Sequence, residues 1–388
     1  MIYLDNAAST QIHEDVLNSM LPYLKEQYGN ASSIHRYGRL ARKAIEKARK
    51  QIALLINAEP SEILFTSGGT ESNNTALRGI SGNGASKQIV TSLIEHDAIL
   101  EPCKQLAKNG VDIDYLPVDK FGMVDPLELE NHLSEKTSLV SIMFGNNEVG
   151  SVQKISEIAK ICNDRKIPFH TDAVQAVGKI PIDVKELGID LLSISSHKLH
   201  GPKGIGALFI KNGIKIDPVI LGGGQEHGLR SGTENVANIV GFGKACEIAK
   251  NNLDENRAYV TKLRDILIEK VLHEIPQVTL NGDPKSRLPN NAHFTFLGVN
   301  GEDLIIKLDE YGIAASTGSA CSVNTQRASH VLQAMGFSHE QITGSLRLTM
   351  GIFNKEKEIE ETVIALKKIV EELRSFSPFK EKYSFSKV

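Results

Sequence analysis

Tryptophan is absent from this chain of 388 residues, and phenylalanine and tyrosine number only 13 and 8. So few rings give no stacking platform for single-stranded nucleic acid. A surplus of charge is also missing: Lys+Arg 44 stand against Asp+Glu 47, a formal net charge of −3. No long-range positive field exists to capture nucleic acid or an anionic membrane. The four cysteines, Cys103, Cys162, Cys246 and Cys321, lie far apart with no CxxC pair. That excludes a zinc knuckle, a thioredoxin-type motif and a disulfide framework. No apolar run approaches the ~18 residues that cross a bilayer. Residues 1–20 carry Asp5, Glu14 and Asp15 where a signal peptide has an apolar core. Walker A, GxGxxG, HExxH and GxSxG sequences are missing too. Nucleotide hydrolysis, dinucleotide redox chemistry, zinc proteolysis and α/β-hydrolase chemistry therefore lack support. These absences predict a soluble, cytoplasmic protein with no nucleic-acid and no membrane partner.

What is present is a rhythm of short apolar runs and amphipathic helices. Residues 63–66, 88–91, 139–143, 168–171 and 190–194 read as buried strands. Residues 39–56 and 153–162 place their apolar side chains on one helical stripe. This alternation predicts an α/β fold with a mostly parallel sheet covered on both faces. Ligands of such sheets sit beyond the carboxyl ends of the strands. From 246 to 275 the pattern predicts one long helix, stopped by Pro276. Beyond it, strands at 292–297 and 345–350 and helices at 302–311 and 355–376 predict a smaller α+β domain. The expected division is a large domain at 13–255 and a small one built from 1–12 and 256–388.

Three stretches could carry chemistry. Thr66-Ser67-Gly68-Gly69-Thr70-Glu71 joins a strand to a helix, so the glycines and free helix-start amides can meet an anion. An ordinary capped turn has the same sequence. Ser195 to Gly206 places Lys198 just past an apolar strand, flanked by Ser195 and His197, in a loop with Gly201, Gly204, Gly206 and Pro202. A desolvated lysine there is a usable amine nucleophile, although most lysines are simply solvated. Asp172, in His170-Thr171-Asp172-Ala173-Val174-Gln175, ends a buried strand. Its carboxylate calls for a cation: a pyridinium nitrogen or a structural salt bridge.

Taken together, the motifs resemble the class V pyridoxal-phosphate enzymes, most closely the NifS/IscS-like cysteine desulfurases. The resemblance runs through Tyr3 to Ala8, Tyr28-Gly29-Asn30, Phe65 to Asn73, Glu95-His96, Asn146 to Gly150, Thr171 to Gln175, His197 to Gly206, Gly222 to Glu226, Leu229 to Glu234 and Ser316 to Ser322. It implies a fold-type I transferase with pyridoxal 5'-phosphate as cofactor and L-cysteine as substrate. By the same resemblance Lys198 would be the cofactor's covalent anchor, and Asp172 would pair with its ring nitrogen. Gln175 would bond its phenolic oxygen, and His96 would lie on the ring and move protons. Gly69, Thr70, Ser195 and His197 would hold the phosphate. Thr233 would reach the phosphate of a partner subunit, implying a homodimer with shared active sites. Asn147 would touch cofactor and substrate, and Arg347 would grip the substrate carboxylate. Ala31, Asp97 and the short tail after Pro378 depart from the family pattern.

Cys321 lies in the small-residue run Ala315 to Ser322, within an irregular loop at 315–328. Such a run predicts an accessible thiol. The other cysteines have apolar or helical neighbours and read as packing residues. The resemblance makes Cys321 the sulfur acceptor, which attacks the substrate sulfur as a thiolate and carries a persulfide. It also allows Cys321 as a transient iron–sulfur ligand. The sulfur would pass to an acceptor such as an iron–sulfur scaffold protein. A selenocysteine lyase, a small-amino-acid aminotransferase and a non-catalytic assembly partner are the alternatives.

Overall fold

The structure, a computed structural model, describes residues 1–81, 87–318 and 328–376. Its strands are β1 (Ile2–Tyr3), β2 (Ile63–Thr66), β3 (Gln88–Ser92), β4 (Asp112–Leu116), β5 (Thr137–Ser141) and β6 (Phe169–Asp172). They continue with β7 (Leu191–Ser195), β8 (Gly206–Ile210), β9 (Val278–Asn281), β10 (Asn291–Phe296), β11 (Ile313–Ala314) and β12 (Ser345–Thr349). The main sheet has seven strands in the order β2-β8-β7-β6-β5-β3-β4. Its pairs from β7 to β4 are parallel, and β8 runs antiparallel to both β2 and β7.

Alternate residues of the main strands enter different apolar clusters. Ile63, Phe65, Val90, Val140, Leu192 and Phe209 join one, while Leu64, Ile89, Leu139, Leu191, Leu208 and Ile210 join the other. A sheet buried on both faces needs apolar side chains on both, which is why these strands read as unbroken apolar runs. Edge strand β4 breaks that rule: in Asp112-Ile113-Asp114-Tyr115-Leu116 only Leu116 is buried. A third sheet-centred cluster surrounds β12-β10-β9. There Phe294, Phe296, Leu346 and Leu348 pack on the helices Leu253–Glu274, Gly301–Glu310 and Glu356–Phe376.

The long helix expected at 246–275 is instead two helices, Val236–Asn251 and Leu253–Glu274. Asn252 makes the break: its φ and ψ are −117° and 16°, and its side-chain amide donates to Ile248 O at 3.0 Å. Asparagine offers the backbone this alternative partner and so ends helices.

Candidate active site

Strand β7 runs out at Ser195 into a single turn, Ser196–Lys198, that turns the lysine back toward the chain's amino-terminal segment. Lys198 Nζ donates to Ala7 O at 2.5 Å and to Ala8 O at 2.8 Å. Thr10 fixes the same crossing, with its Oγ1 donating to His197 O and accepting from His200 N. Neighbouring His200 takes a positive φ of 64° to complete the turn.

Asp172 ends β6 and is 7% exposed. Asn73 Nδ2 donates to its Oδ2 at 2.7 Å, and Val174 N donates to its Oδ1 at 3.0 Å. Gln175, one turn further on, donates from Nε2 to Ala7 O at 2.9 Å. Its Oε1 is buried without a hydrogen-bond partner, as are Asn73 Oδ1 and Thr171 Oγ1.

Helix Gly69–Ser81 begins beside Ser195. A Cβ on Gly69 would stand 2.7 Å from Val174 Cγ2 and 3.7 Å from Ser195 Cβ. Gly68 holds a φ of +153°, which side-chain-bearing residues rarely adopt. The bare backbone of 68–69 thus lies against Ser195 with the helix-start amides next to it. Thr70 is exposed at this end. Glu71 accepts from Ser67 N at 2.9 Å and from Arg230 Nε at 2.8 Å. Burial pushes the Glu71 carboxyl up, but the Arg230 and Ser67 hydrogen bonds outweigh it and hold the group below its usual range.

His96 caps the helix Asp97–Lys108, its Nδ1 accepting from Ala98 N at 3.0 Å. That bond assigns the ring proton to Nε2. Glu95 is fully buried; Ser92 Oγ and Met143 N donate to its Oε1, and burial raises its pKa to about 8. His197 is half-buried with Nδ1 against Ser9 Oγ at 3.2 Å. Burial, then the charges of Lys198, Lys203 and Lys179, lower its pKa to about 4, so it is neutral at pH 7.

Arg347, on β12 and 3% exposed, forms an ion pair with Asp5 Oδ1 at 2.9 Å. Its Nη1 donates to Asn147 O at 2.8 Å and Gly318 O at 3.0 Å, and its Nε is buried without a partner. Glu148 accepts from Ser329 Oγ at 2.6 Å. Cys321 lies outside the described residues, so its expected roles as sulfur acceptor and transient iron–sulfur ligand are not located. The remaining cysteines are buried, with thiol pKa values raised by burial. Among the described residues no cluster of His, Cys, Asp and Glu could hold a metal.

The fold therefore brings Gly69, Asp172, Gln175, Ser195, His197 and Lys198 into one region, and joins Asn147 to Arg347. Thr233 stands exposed after Gly232 and makes no hydrogen bond to the other candidates among the described residues. Sequence reasoning did not single out Asn73, Asp5, Glu71 or Arg230. The only local sign for Asn73 is its place one turn after Thr70. The donor set fits pyridoxal phosphate. A buried carboxylate suits a ring nitrogen, the unpartnered Gln175 Oε1 and Thr171 Oγ1 await a ligand, an amine stands in reach, and an open glycine turn faces Ser195.

The family model for aminotransferase class-V matches residues 2–362. The chain is 49% identical over 388 residues to cysteine desulfurase IscS of Dictyoglomus turgidum (strain DSM 6724 / Z-1310), covering 100% of this chain and 98% of that one. It is 50% identical over 383 residues to cysteine desulfurase IscS of Methanosarcina thermophila, covering 98% and 95%. Among solved structures it is similar to a NifS-like protein, with a TM-score of 0.89 and 39% identity over 97% of this chain and 100% of that one. It is also similar to SspA in complex with cysteine, with a TM-score of 0.81 and 35% identity over 92% and 100%.

Proposed function

Since this chain belongs to the class-V aminotransferase family and has the fold-type I architecture of its pyridoxal-phosphate enzymes, we propose that it converts L-cysteine to L-alanine and captures the sulfur on Cys321. The observation that carries this reading is the meeting of Lys198 and Gln175 at Ala7 O, beside the buried Asp172–Asn73 pair.

Asp172 would hold the ring nitrogen and Gln175 the phenolic oxygen through its side-chain amide, with Lys198 as covalent anchor. Gly69, Thr70, Ser195 and His197 would hold the phosphate; neutral His197 donates without adding charge. When bound, pyridoxal phosphate supplies an electron sink for the pair left at the substrate Cα. The Lys198 amine, once freed, takes the Cα proton. His96, whose Nδ1 is taken by Ala98 N, would move a proton at the substrate through Nε2. Arg347 and Asn147 would receive the substrate carboxylate. Arg347 already has Asp5 and two carbonyl partners, so the carboxylate takes up its remaining donors, Nε among them. The Cys321 thiolate attacks the substrate sulfur, the C–S bond breaks with its electron pair going to the Cβ, and that carbon is protonated to give alanine.

A homodimer belongs to the same proposal, with exposed Thr233 reaching the partner's phosphate site. So do a sulfur-acceptor protein such as an iron–sulfur scaffold and a cytoplasmic setting. No helix among the described residues is long and apolar enough to cross a membrane. The separate apolar cores support a large domain at 13–255 and a small one at 1–12 with 256–388. The test supplies cysteine to the cofactor-loaded protein and measures alanine and sulfide together in the presence of a thiol reductant. Equal amounts of both support the reading; pyruvate or keto acid in place of alanine overturns it.

A further inference from the structure

Arg347 already has many partners for a residue that is to receive a carboxylate. A guanidinium carries five N–H donors. Asn147 O at 2.8 Å and Gly318 O at 3.0 Å take Nη1, and Asp5 Oδ1 at 2.9 Å takes one donor of Nη2. What is left is the second donor of Nη2 and the Nε–H, which is buried without a partner. A ligand carboxylate that uses both must share Nη2 with Asp5.

Asp5 is not free to withdraw. Its backbone forms a bridge with Thr349, on β12 like Arg347. Next to it, Asn6 Nδ2 donates to Thr349 O at 2.9 Å and Ala7 N to Thr349 Oγ1 at 2.9 Å. The Asp5 carbonyl accepts from Ala8 N at 3.0 Å and from Tyr3 Oη at 3.1 Å. The Asp5 side chain is 19% exposed against 3% for Arg347, so the carboxylate is the more open member of the pair. Among the described residues Asp5 is the only acidic partner of Arg347. His293, the register partner of Arg347 on β10, adds no charge: burial, then the charges of Arg347 and Arg287, lower its pKa to about 3.

We propose that Asp5 is a positioning residue of the carboxylate site, a fixed counter-ion that orients the Arg347 fork and limits how tightly it holds a substrate or product carboxylate. The inference rests on the reading of Arg347 as the receiver of that carboxylate. The empty site holds a neutral pair. When a ligand carboxylate enters, two anions face one buried cation, and their repulsion weakens the hold on the ligand. Without the Asp5 charge the guanidinium would be buried and unpaired, and would bind the entering carboxylate more tightly. Alanine and cysteine carry the same carboxylate, so that tightness would not speed the step between them and would slow the release of alanine. The built-in anion therefore serves release.

The test is equilibrium binding of L-alanine and of L-alaninamide, which has the amine but no carboxylate. Both are titrated into the cofactor-loaded full chain and followed by the visible absorbance of the cofactor. Asp5→Asn keeps a side-chain oxygen for Nη2 and removes the charge. It should tighten L-alanine by about tenfold or more and leave L-alaninamide unchanged. The KM for cysteine should fall with it, while kcat does not rise. Asp5→Ser, smaller and also uncharged, should shift L-alanine in the same direction, and Asp5→Glu should bind it as the parent does. Unchanged or weaker L-alanine binding in the uncharged variants overturns the proposal, and so does an equal change for L-alaninamide. A parent chain that binds both ligands equally would instead remove Arg347 as the carboxylate receiver, and this proposal with it.

Discussion

Gln175 and Lys198 converge on one acceptor: the carbonyl oxygen of Ala7 receives Gln175 Nε2 at 2.9 Å and Lys198 Nζ at 2.5 Å. The amino-terminal segment is thus part of the site. Ala8 O takes the lysine as well, and Asp5 pairs with Arg347.

Removing that amine tests its role. Lys198→Ala is expected to lose nearly all alanine formation and the covalent link to the cofactor. The cofactor can still bind through Asp172 and the glycine turn. Reduction with borohydride followed by peptide mapping checks this: label on any lysine in the Ala variant would remove Lys198 as the anchor.

The glycine turn has its own requirement. A Cβ on Gly206 would lie 2.5 Å from Ile194 O and 2.7 Å from Gly68 Cα, both backbone atoms. Neither can give way without moving the strand end and the turn before Gly69. Gly206→Ala should therefore raise the pyridoxal-phosphate dissociation constant, with overpacking of about 1–3 kcal/mol setting the scale. Unchanged affinity in a fluorescence titration would show that 68–69 do not form the cradle.

The strands of the main sheet were legible because burial on both faces makes them apolar throughout. Edge strand β4, with Asp112 and Asp114, gave no such run, and β8 was concealed inside a glycine-rich stretch that reads as loop. Lys198 and Asp172 were legible from local pattern, each just past or at the end of a buried strand. Their partners were not. Asn73 and Asp172 are 99 residues apart, Glu71 and Arg230 159, and Asp5 and Arg347 342. Only chain closure sets those pairings. The single helix expected at 246–275 failed because apolar periodicity continues across Asn252 while the backbone does not.

Arg49 and Glu226 make a buried ion pair, each side chain 3% exposed, with contacts of 2.8 and 2.9 Å. Arg49 also donates to Ile63 O and lies 4.7 Å above the Phe65 ring. The pair pins a left-handed bend, φ 47° at Glu226 and 58° at His227, in the loop leading to Thr233. Arg49→Met leaves the carboxylate buried and unpaired and should destabilise the protein by about 3–5 kcal/mol. Adding Glu226→Gln should recover part of that loss. Urea midpoints of the two variants decide; equal midpoints would contradict a paired buried charge.

Glu95 predicts a pH dependence of stability. An unfolded glutamate titrates near 4.5, and burial raises Glu95 to about 8 in the fold. Between those values the folded state holds a proton that the unfolded state has released, so stability falls as pH rises through that window. The contribution is complete below about pH 4.5. Glu95→Gln stays neutral throughout and should flatten this slope, gaining on the parent chain as pH rises from 5 to 9. Urea unfolding at pH 5, 7 and 9 measures it; parallel slopes would place the Glu95 proton elsewhere.

Cys321 separates sulfur capture from cofactor binding. The residues proposed to hold cofactor and substrate, Lys198, Asp172, Gln175 and Arg347, are fixed by partners other than Cys321. Cys321→Ser should therefore keep the cofactor spectrum and still take up cysteine. Alanine formation from cysteine should collapse, because a hydroxyl at neutral pH is a poor nucleophile toward sulfur and cannot carry a persulfide. Selenocysteine should be spared more, since selenium leaves more readily and needs no protein thiol to receive it. Alanine release from both substrates, with the visible spectrum as control, gives the answer. Near-normal turnover of cysteine by the Ser variant would take Cys321 out of the mechanism and leave a lyase that works through the cofactor alone.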